Sequence, residues 1–154
     1  MLLLTGSSGF IGSFMSRYFE SHNIQYKSIS RSNSLNPNHV QIDLKKRTHL
    51  YEIIDGVDMV IHAAAKAHGM NEFHSDQRKE YKEINTLATL NLAKQSIQSN
   101  VKKFIFLSTI KVNGERTKAN EPFCEISATN PVGPYAISKF EAEEGLKKIF
   151  KNSK

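Results

Sequence analysis

Two kinds of apolar pattern alternate along this chain. Short strand-like runs occur at Leu2–Leu4, Tyr26–Ser30, Val40–Leu44, Val57–His62 and Lys103–Thr109. Between them, apolar residues return every three or four positions. Ile11, Phe14, Met15, Tyr18 and Phe19 follow the i, i+3, i+4, i+7, i+8 spacing of one helix face. Thr48–Ile54 predicts a second helix, and Gln77–Gln98 a long one carrying Tyr81, Ile84, Leu87, Ala88, Leu92 and Ala93. Tyr135–Phe150 predicts the last, with Pro134 suited to its first turn. A strand, a helix and a further strand of these lengths form the parallel βαβ unit. The alternation predicts an α/β fold, a doubly wound parallel sheet of about five strands, in one domain over residues 1–154. The fifth run is apolar throughout, which predicts burial on both faces.

The punctuation at the first strand end adds chemistry. Met1-Leu-Leu-Leu-Thr-Gly-Ser-Ser-Gly-Phe-Ile-Gly12 places Gly6, Gly9 and Gly12 three residues apart, between a strand and an amphipathic helix. Such glycines allow a tight turn, a close backbone approach to a pyrophosphate and close helix–strand packing. The unpaired N–H groups of the following helix then face the phosphates. The spacing is GxxGxxG, so the GxGxxG fingerprint is met in part. At the end of the second strand, where NAD-binding folds carry an Asp or Glu, no acid lies between Gln25 and Gln41. Arg31 stands there among hydroxyls, and a guanidinium suits a 2′-phosphate, so the residues favour NADP over NAD. Ala63, Ala64 and Ala65 end the fourth strand with small side chains, where a planar ligand can lie over the sheet edge.

Tyr135 and Lys139, four apart on the final helix, share a face. An ammonium beside a phenol stabilises the phenolate and makes tyrosine a usable general acid/base. Thr109, at the end of the fifth strand, presents a hydroxyl on the same side of the sheet. The polar stretch from Asn113 to Asn130 is long enough to suggest a functional loop.

Composition narrows the partners. The apolar content of 39% and charged content of 23% are those of an ordinary soluble globular protein. The net charge of +6 comes from scattered residues without interleaved aromatics, so nucleic acid is not an expected partner. No apolar run is long enough to span a bilayer, and no basic segment precedes Leu2–Leu4 to suggest a signal peptide. The single cysteine, Cys124, favours a reducing compartment, and the chain reads as cytoplasmic. His62, His68 and His74 lack metal-ligand spacing, so no metal is expected.

Taken together, Thr5–Gly12, Gly56–Ala65, Phe106-Leu-Ser-Thr-Ile-Lys-Val-Asn-Gly114 and Tyr135-Ala-Ile-Ser-Lys139 resemble the extended short-chain dehydrogenase/reductases. These are the NAD(P)-dependent epimerases, dehydratases and reductases of nucleotide sugars, with a Rossmann cofactor domain. Ser108–Glu115 with Ala64–Glu72 is similar to a bacterial subgroup of UDP-glucose 4-epimerase-like proteins and 4-keto reductases for UDP-N-acetyl-6-deoxyhexoses, in surface-polysaccharide synthesis.

The resemblance implies that Gly6, Gly9 and Gly12 hold the pyrophosphate, with backbone N–H groups from Phe10 and Ile11. It implies that Arg31 meets the adenosine ribose or its phosphate, that Asp43 and Leu44 contact adenine, and that Ala63, Ala64 and Ala65 line the trough. Lys139 would bind the nicotinamide ribose. Tyr135 would exchange the proton on sugar O4, assisted by Thr109, while hydride passes between nicotinamide and sugar C4. Asn85 falls where the family has an asparagine supporting the active-site backbone. A UDP-sugar substrate and a homodimer through helices 77–98 and 135–150 follow from the same likeness.

The family pattern is broken in three places. Thr109 replaces a commoner serine, and Asn113 stands where many epimerases have tyrosine. The sequence also ends soon after Lys139, before the lobe that binds the nucleotide-sugar, so a truncated cofactor domain is expected. A non-catalytic dinucleotide-binding regulatory module, or an inactive remnant, is the alternative.

Overall fold

The computed structural model describes residues 1–46, 48–67 and 75–151. Strands β1 (Leu2–Thr5), β2 (Tyr26–Ser30), β3 (His39–Gln41), β4 (Met59–His62) and β5 (Lys103–Phe106) form one parallel sheet in the order β3-β2-β1-β4-β5. Each expected strand is present, although β3 and β5 are shorter than their apolar runs.

The alternation of side chains sorts the core into two layers. Leu3, Ile29 and Val60 point to one face, where Leu50, Ile53, Ile54, Val57 and Leu92 cover them. These come from α2 (Tyr51–Ile54) and α4 (Ala88–Gln98) and their flanks. Leu4, Tyr26 and Ile61 point to the other face, where Phe19 and Met15 of α1 (Phe10–Ser21) cover them. Removing each such side chain from water stabilises the fold by roughly 1.5–3 kcal/mol. α5 (Gly133–Lys151) lies with α4 on the first face, and its Phe150 ring stands 5.7 Å from Phe104.

The long helix between β4 and β5 is not uniform. α3 (Ser75–Tyr81) and α4 flank a π-helical segment, Lys82–Leu87, that carries the buried Asn85 and Thr86. π turns inside α-helices are frequent at functional sites, and this one carries Asn85, whose side chain is fully buried.

One expectation about exposure needs correction. β5 is the edge strand, and on the α1 side of the sheet Lys103 and Ile105 are exposed, Ile105 at 37%. An apolar run can therefore not be read as burial on both faces: α5 covers only one face of β5, and α1 lies over β1 and β2. α1 itself buries only part of its apolar stripe. Gly12 and Phe19 are buried, but Phe14 is 65% exposed and Tyr18 48%. His68 and His74 lie outside the described residues.

Candidate functional site

At the C-terminal end of β1 the chain turns through Gly6, with φ +72°, and enters α1 with Gly9 as its N-cap. The turn is tied down by Gly6 N–H to Ile29 O at 2.8 Å and Gly9 N–H to Gly6 O at 2.9 Å. No side chain caps α1, so the first-turn N–H groups, those of Phe10 and Ile11 included, have no partner inside the helix. Their side chains point outward, Phe10 at 96% exposure.

Gly6 and Gly12 are required by contact. A Cβ on Gly6 would lie 2.6 Å from both Cα and N of Ala64, and one on Gly12 would lie 2.1 Å from Gly6 O. A Cβ on Gly9 would lie 3.2 Å from Gly6 O, tight but tolerable.

This turn forms one wall of a pocket outside the carboxyl ends of β1, β2 and β4. Gly6, Ser8 and Gly9 come from the glycine loop, and Ile29, Ser30 and Arg31 from the end of β2. Ile42, Asp43, Leu44 and Lys45 follow β3, and Ala63, Ala64, Ala65 and Lys66 follow β4. Ile84 closes it from the π-helical segment. The site lies at the switch point between β1 and β4, where the connection from β1 runs to β2 on one side and that from β4 to β5 on the other, the place where open parallel sheets bind ligands.

Electrostatics on the β2–β3 side are mixed. Arg31 is exposed, Lys45 pairs with Glu83 at 2.7 Å, and Lys66 pairs with Glu80. The Lys66 ammonium holds the Glu80 carboxyl below its usual range. The Asp43 carboxylate accepts the Lys45 backbone N–H at 3.0 Å.

Asn85 is fully buried and acts on the pocket through the backbone. Its Oδ1 accepts Lys66 N–H at 2.8 Å, and its Nδ2 donates to Lys66 O and to Ser138 Oγ, both at 3.0 Å. Thr86 Oγ donates to Ser138 O at 2.9 Å. These bonds join the pocket rim to α5 one residue before Lys139.

Lys139 reaches the end of β5, Thr109 follows that strand and Tyr135 lies one turn before Lys139 on α5; none of the three lines that pocket. Thr109 caps a short 3₁₀ turn, Ile110–Val112, its Oγ accepting Lys111 N–H at 3.4 Å. Lys139 is 1% exposed; its Nζ donates to Leu107 O at 2.6 Å and lies 3.9 Å from the Phe106 ring centroid. Burial pushes its pKa down to about 8, opposed by the nearby Glu143 carboxylate. Tyr135 is half-buried, its ring 6.1 Å from that of Tyr81. The loop after Thr109 is closed on itself by Asn113 Nδ2 to Ser127 O at 3.1 Å and Asn130 N–H to Val112 O at 2.9 Å.

Several pocket residues carried no signal strong enough to single them out. Lys66 and Lys45 directly follow the expected Ala65 and Leu44, and adjacency was their only sequence mark. Ile84 lines the pocket from within the π-helical segment, and apolar spacing does not say which helix position faces a ligand. Among the described residues no His, Cys, Asp and Glu cluster could hold a metal, and no helix is long and apolar enough to cross a membrane.

A five-stranded parallel sheet with helices on both faces and a glycine turn at its crossover point defines a Rossmann-type domain. Residues 2–153 match the NAD dependent epimerase/dehydratase family, and the chain belongs to that family. It is 35% identical to a UDP-glucose 4-epimerase from Vibrio cholerae, across 99% of this chain and 48% of that protein. The crystal structure of Thermotoga maritima UDP-glucose 4-epimerase with UDP-glucose superposes with a TM-score of 0.84 at 26% identity, covering 99% of this chain and 52% of that one. MoeE5, solved in complex with UDP-glucose and NAD, gives the same TM-score at 24% identity, covering 96% and 48%, and so attests the fold. The chain spans about half the length of the relatives it matches.

Proposed function

We propose that this chain is the cofactor-binding half of an NAD(P)-dependent nucleotide-sugar epimerase or reductase acting at sugar C4. One observation carries the reading: the glycine turn and the Ala63–Ala65 trough meet in one pocket, and the Gly6 cradle is one that a Cβ would fill. The residues fit a dinucleotide. Gly6, Gly9 and Gly12 would hold the pyrophosphate, with the Phe10 and Ile11 N–H groups as donors at the positive end of α1. Asp43 and Leu44 would contact adenine. Arg31 would meet the adenosine ribose, and its guanidinium suits a 2′-phosphate there, which favours NADP over NAD.

A dinucleotide in this pocket supplies hydride exchange with a sugar carbon. Tyr135 moves the proton at sugar O4, Thr109 hydrogen-bonds the same oxygen, and Lys139 supplies the positive charge beside them. Asn85 acts as a support, holding the Lys66 backbone in place. The substrate is a UDP-sugar, on the likeness to relatives named for UDP-glucose. Placement in surface-polysaccharide precursor synthesis rests on the Ser108–Glu115 resemblance, and a cytoplasmic location on the single cysteine. A homodimer through the long helix and α5 is part of this reading, supported by Leu87 standing 52% exposed. Sedimentation showing monomer only, at high concentration, overturns that part.

Dinucleotide binding without turnover is a second reading. It is favoured by the Lys139 ammonium being committed to Leu107 O at 2.6 Å.

The deciding experiment titrates the polypeptide with NADPH and NADH, read by nicotinamide fluorescence, and separately adds a UDP-sugar to the complex formed with NAD+ or NADP+. Saturable binding followed by growth of reduced-nicotinamide absorbance supports the enzyme. Binding without that absorbance supports the second reading. No binding by folded protein overturns both.

A further inference from the structure

Beneath the trough, a chain of hydrogen bonds runs from the pocket backbone to α4. Ala64 N–H donates to Thr5 Oγ at 3.3 Å, and Thr5 Oγ meets His62 Nδ1 at 2.6 Å. His62 Nε2 meets Thr89 Oγ at 2.8 Å, and Thr89 Oγ donates to Asn85 O at 2.7 Å. Thr5, His62 and Thr89 are each no more than 1% exposed, so water does not share these bonds.

Counting protons fixes every direction in this chain. A carbonyl oxygen only accepts, so the single Thr89 hydroxyl proton goes to Asn85 O, and Thr89 Oγ is left as the acceptor for His62 Nε2–H. Burial and the neighbouring Lys139 charge keep the imidazole neutral, with a pKa of about 3. Its Nδ1 is therefore bare and accepts the Thr5 hydroxyl proton. Thr5 Oγ, its proton spent, is free to accept Ala64 N–H. The Thr5 carbonyl meanwhile accepts Ala63 N–H at 3.2 Å. One residue thus holds two consecutive trough amides, directly beside the Gly6 turn that Ala64 touches.

We propose that His62 is a positioning residue for the trough. Held as the Nε2–H tautomer by Thr89, it takes the Thr5 proton and leaves Thr5 Oγ to seat the Ala64 backbone against Gly6. The inference rests on reading this pocket as a dinucleotide site, because its consequence is the width of the groove that the dinucleotide enters. His62 touches no ligand and exchanges no proton in this role.

The test has one readout without ligand and one with NADH, both on the full chain. Ring ¹⁵N NMR of labelled histidine should show His62 with a bare Nδ1 and a protonated Nε2, unchanged between about pH 5 and 8. The opposite tautomer, or titration in that range, overturns the proposal. Thr5→Val should speed Ala64 amide exchange and weaken NADH binding about five-fold or more, the scale of one hydrogen bond. Thr5→Ser, which keeps the hydroxyl, should stay within about two-fold of the parent. Thr5→Val binding and exchanging like the parent overturns the proposal, and so does Thr5→Ser failing like Thr5→Val. Should Thr5→Val not fold, Thr89→Val takes its place: it removes the Nε2–H acceptor together with the donor to Asn85 O, and an unchanged tautomer with unchanged Ala64 exchange overturns the proposal. Absence of NADH binding to the folded parent sinks the dinucleotide reading alone. In that case the tautomer and Ala64 exchange still decide whether His62 seats the trough.

Discussion

Gly6 and Ala64 are pressed together so closely that a Cβ on Gly6 would stand 2.6 Å from both the Cα and the amide nitrogen of Ala64. The end of β1 and the chain leaving β4 therefore share a space sized for two backbones and no side chain. Gly12 repeats the relation from the helix side, against Gly6 O.

Gly6→Ala combines that clash with a φ of +72°, which disfavours any Cβ. A loss of about 2–5 kcal/mol is expected, with dinucleotide binding abolished. Gly56→Ala is the control: its φ is +69° but nothing lies within 4 Å, so a smaller loss of about 1–2 kcal/mol is expected and binding should persist. Urea unfolding and NADH titration of the two variants check both.

Arg31→Ala should weaken NADPH binding by about ten-fold and change NADH binding by less than two-fold, as expected for loss of a charge-assisted pair to phosphate. Equal losses for both cofactors would remove the basis for an NADP preference.

Stability should fall with acid through His62. Its folded pKa of about 3 lies below the ordinary 6.5, so between those values the unfolded chain binds the extra proton. The contribution is intact above pH 6.5 and declines as pH drops towards 3. The slope is roughly 1.4 kcal/mol per pH unit. Urea midpoints measured across this window should show the decline, and a pH-independent midpoint contradicts a buried neutral His62.

Lys139 should titrate near pH 8, well below an ordinary lysine at 10.5. The unfolded chain holds more protons between those values, so this residue makes the fold more stable as pH rises through them. NMR of ¹³Cε-labelled lysine, comparing the parent with Lys139→Met to assign the signal, measures the value directly.

Asn85→Leu leaves the Lys66 N–H and C=O without their side-chain partners. A cost of about 1–3 kcal/mol is expected, together with weaker dinucleotide binding, because the pocket rim loses its tie to α5. Binding equal to the parent would show that the Lys66 backbone holds its place alone.

Periodicity was enough for the strand and helix sequence, since burial of one face leaves a repeat of two or of about three and a half in the chain. It placed the glycine turn, the alanine trough and the Tyr135–Lys139 pair on their elements. It could not reveal that β5 is an edge, because an apolar run looks the same whether one face is covered or two. Nor could it find the π turn that carries Asn85 and Ile84, since both α and π geometry accept the same residues. Lys45 and Lys66 were hidden for a similar reason: a lysine in a pocket wall and a lysine in solvent have the same local sequence.

The amino-acid sequence by itself determined the α/β order of elements, the family resemblance and the positions where a side chain is not tolerated. Those are local properties, set by apolar spacing and by glycine at a strand-to-helix turn. Only the tertiary structure decided which face of each element is covered, that Lys139 reaches Leu107 O, and that His62 lies between Thr5 and Thr89. These depend on strands and helices distant in sequence, brought within hydrogen-bond reach by β1–β4 pairing and by the packing of α4 and α5 on the sheet. Hydrogen-bond direction depends on every partner being in place at once, and no local pattern carries that information.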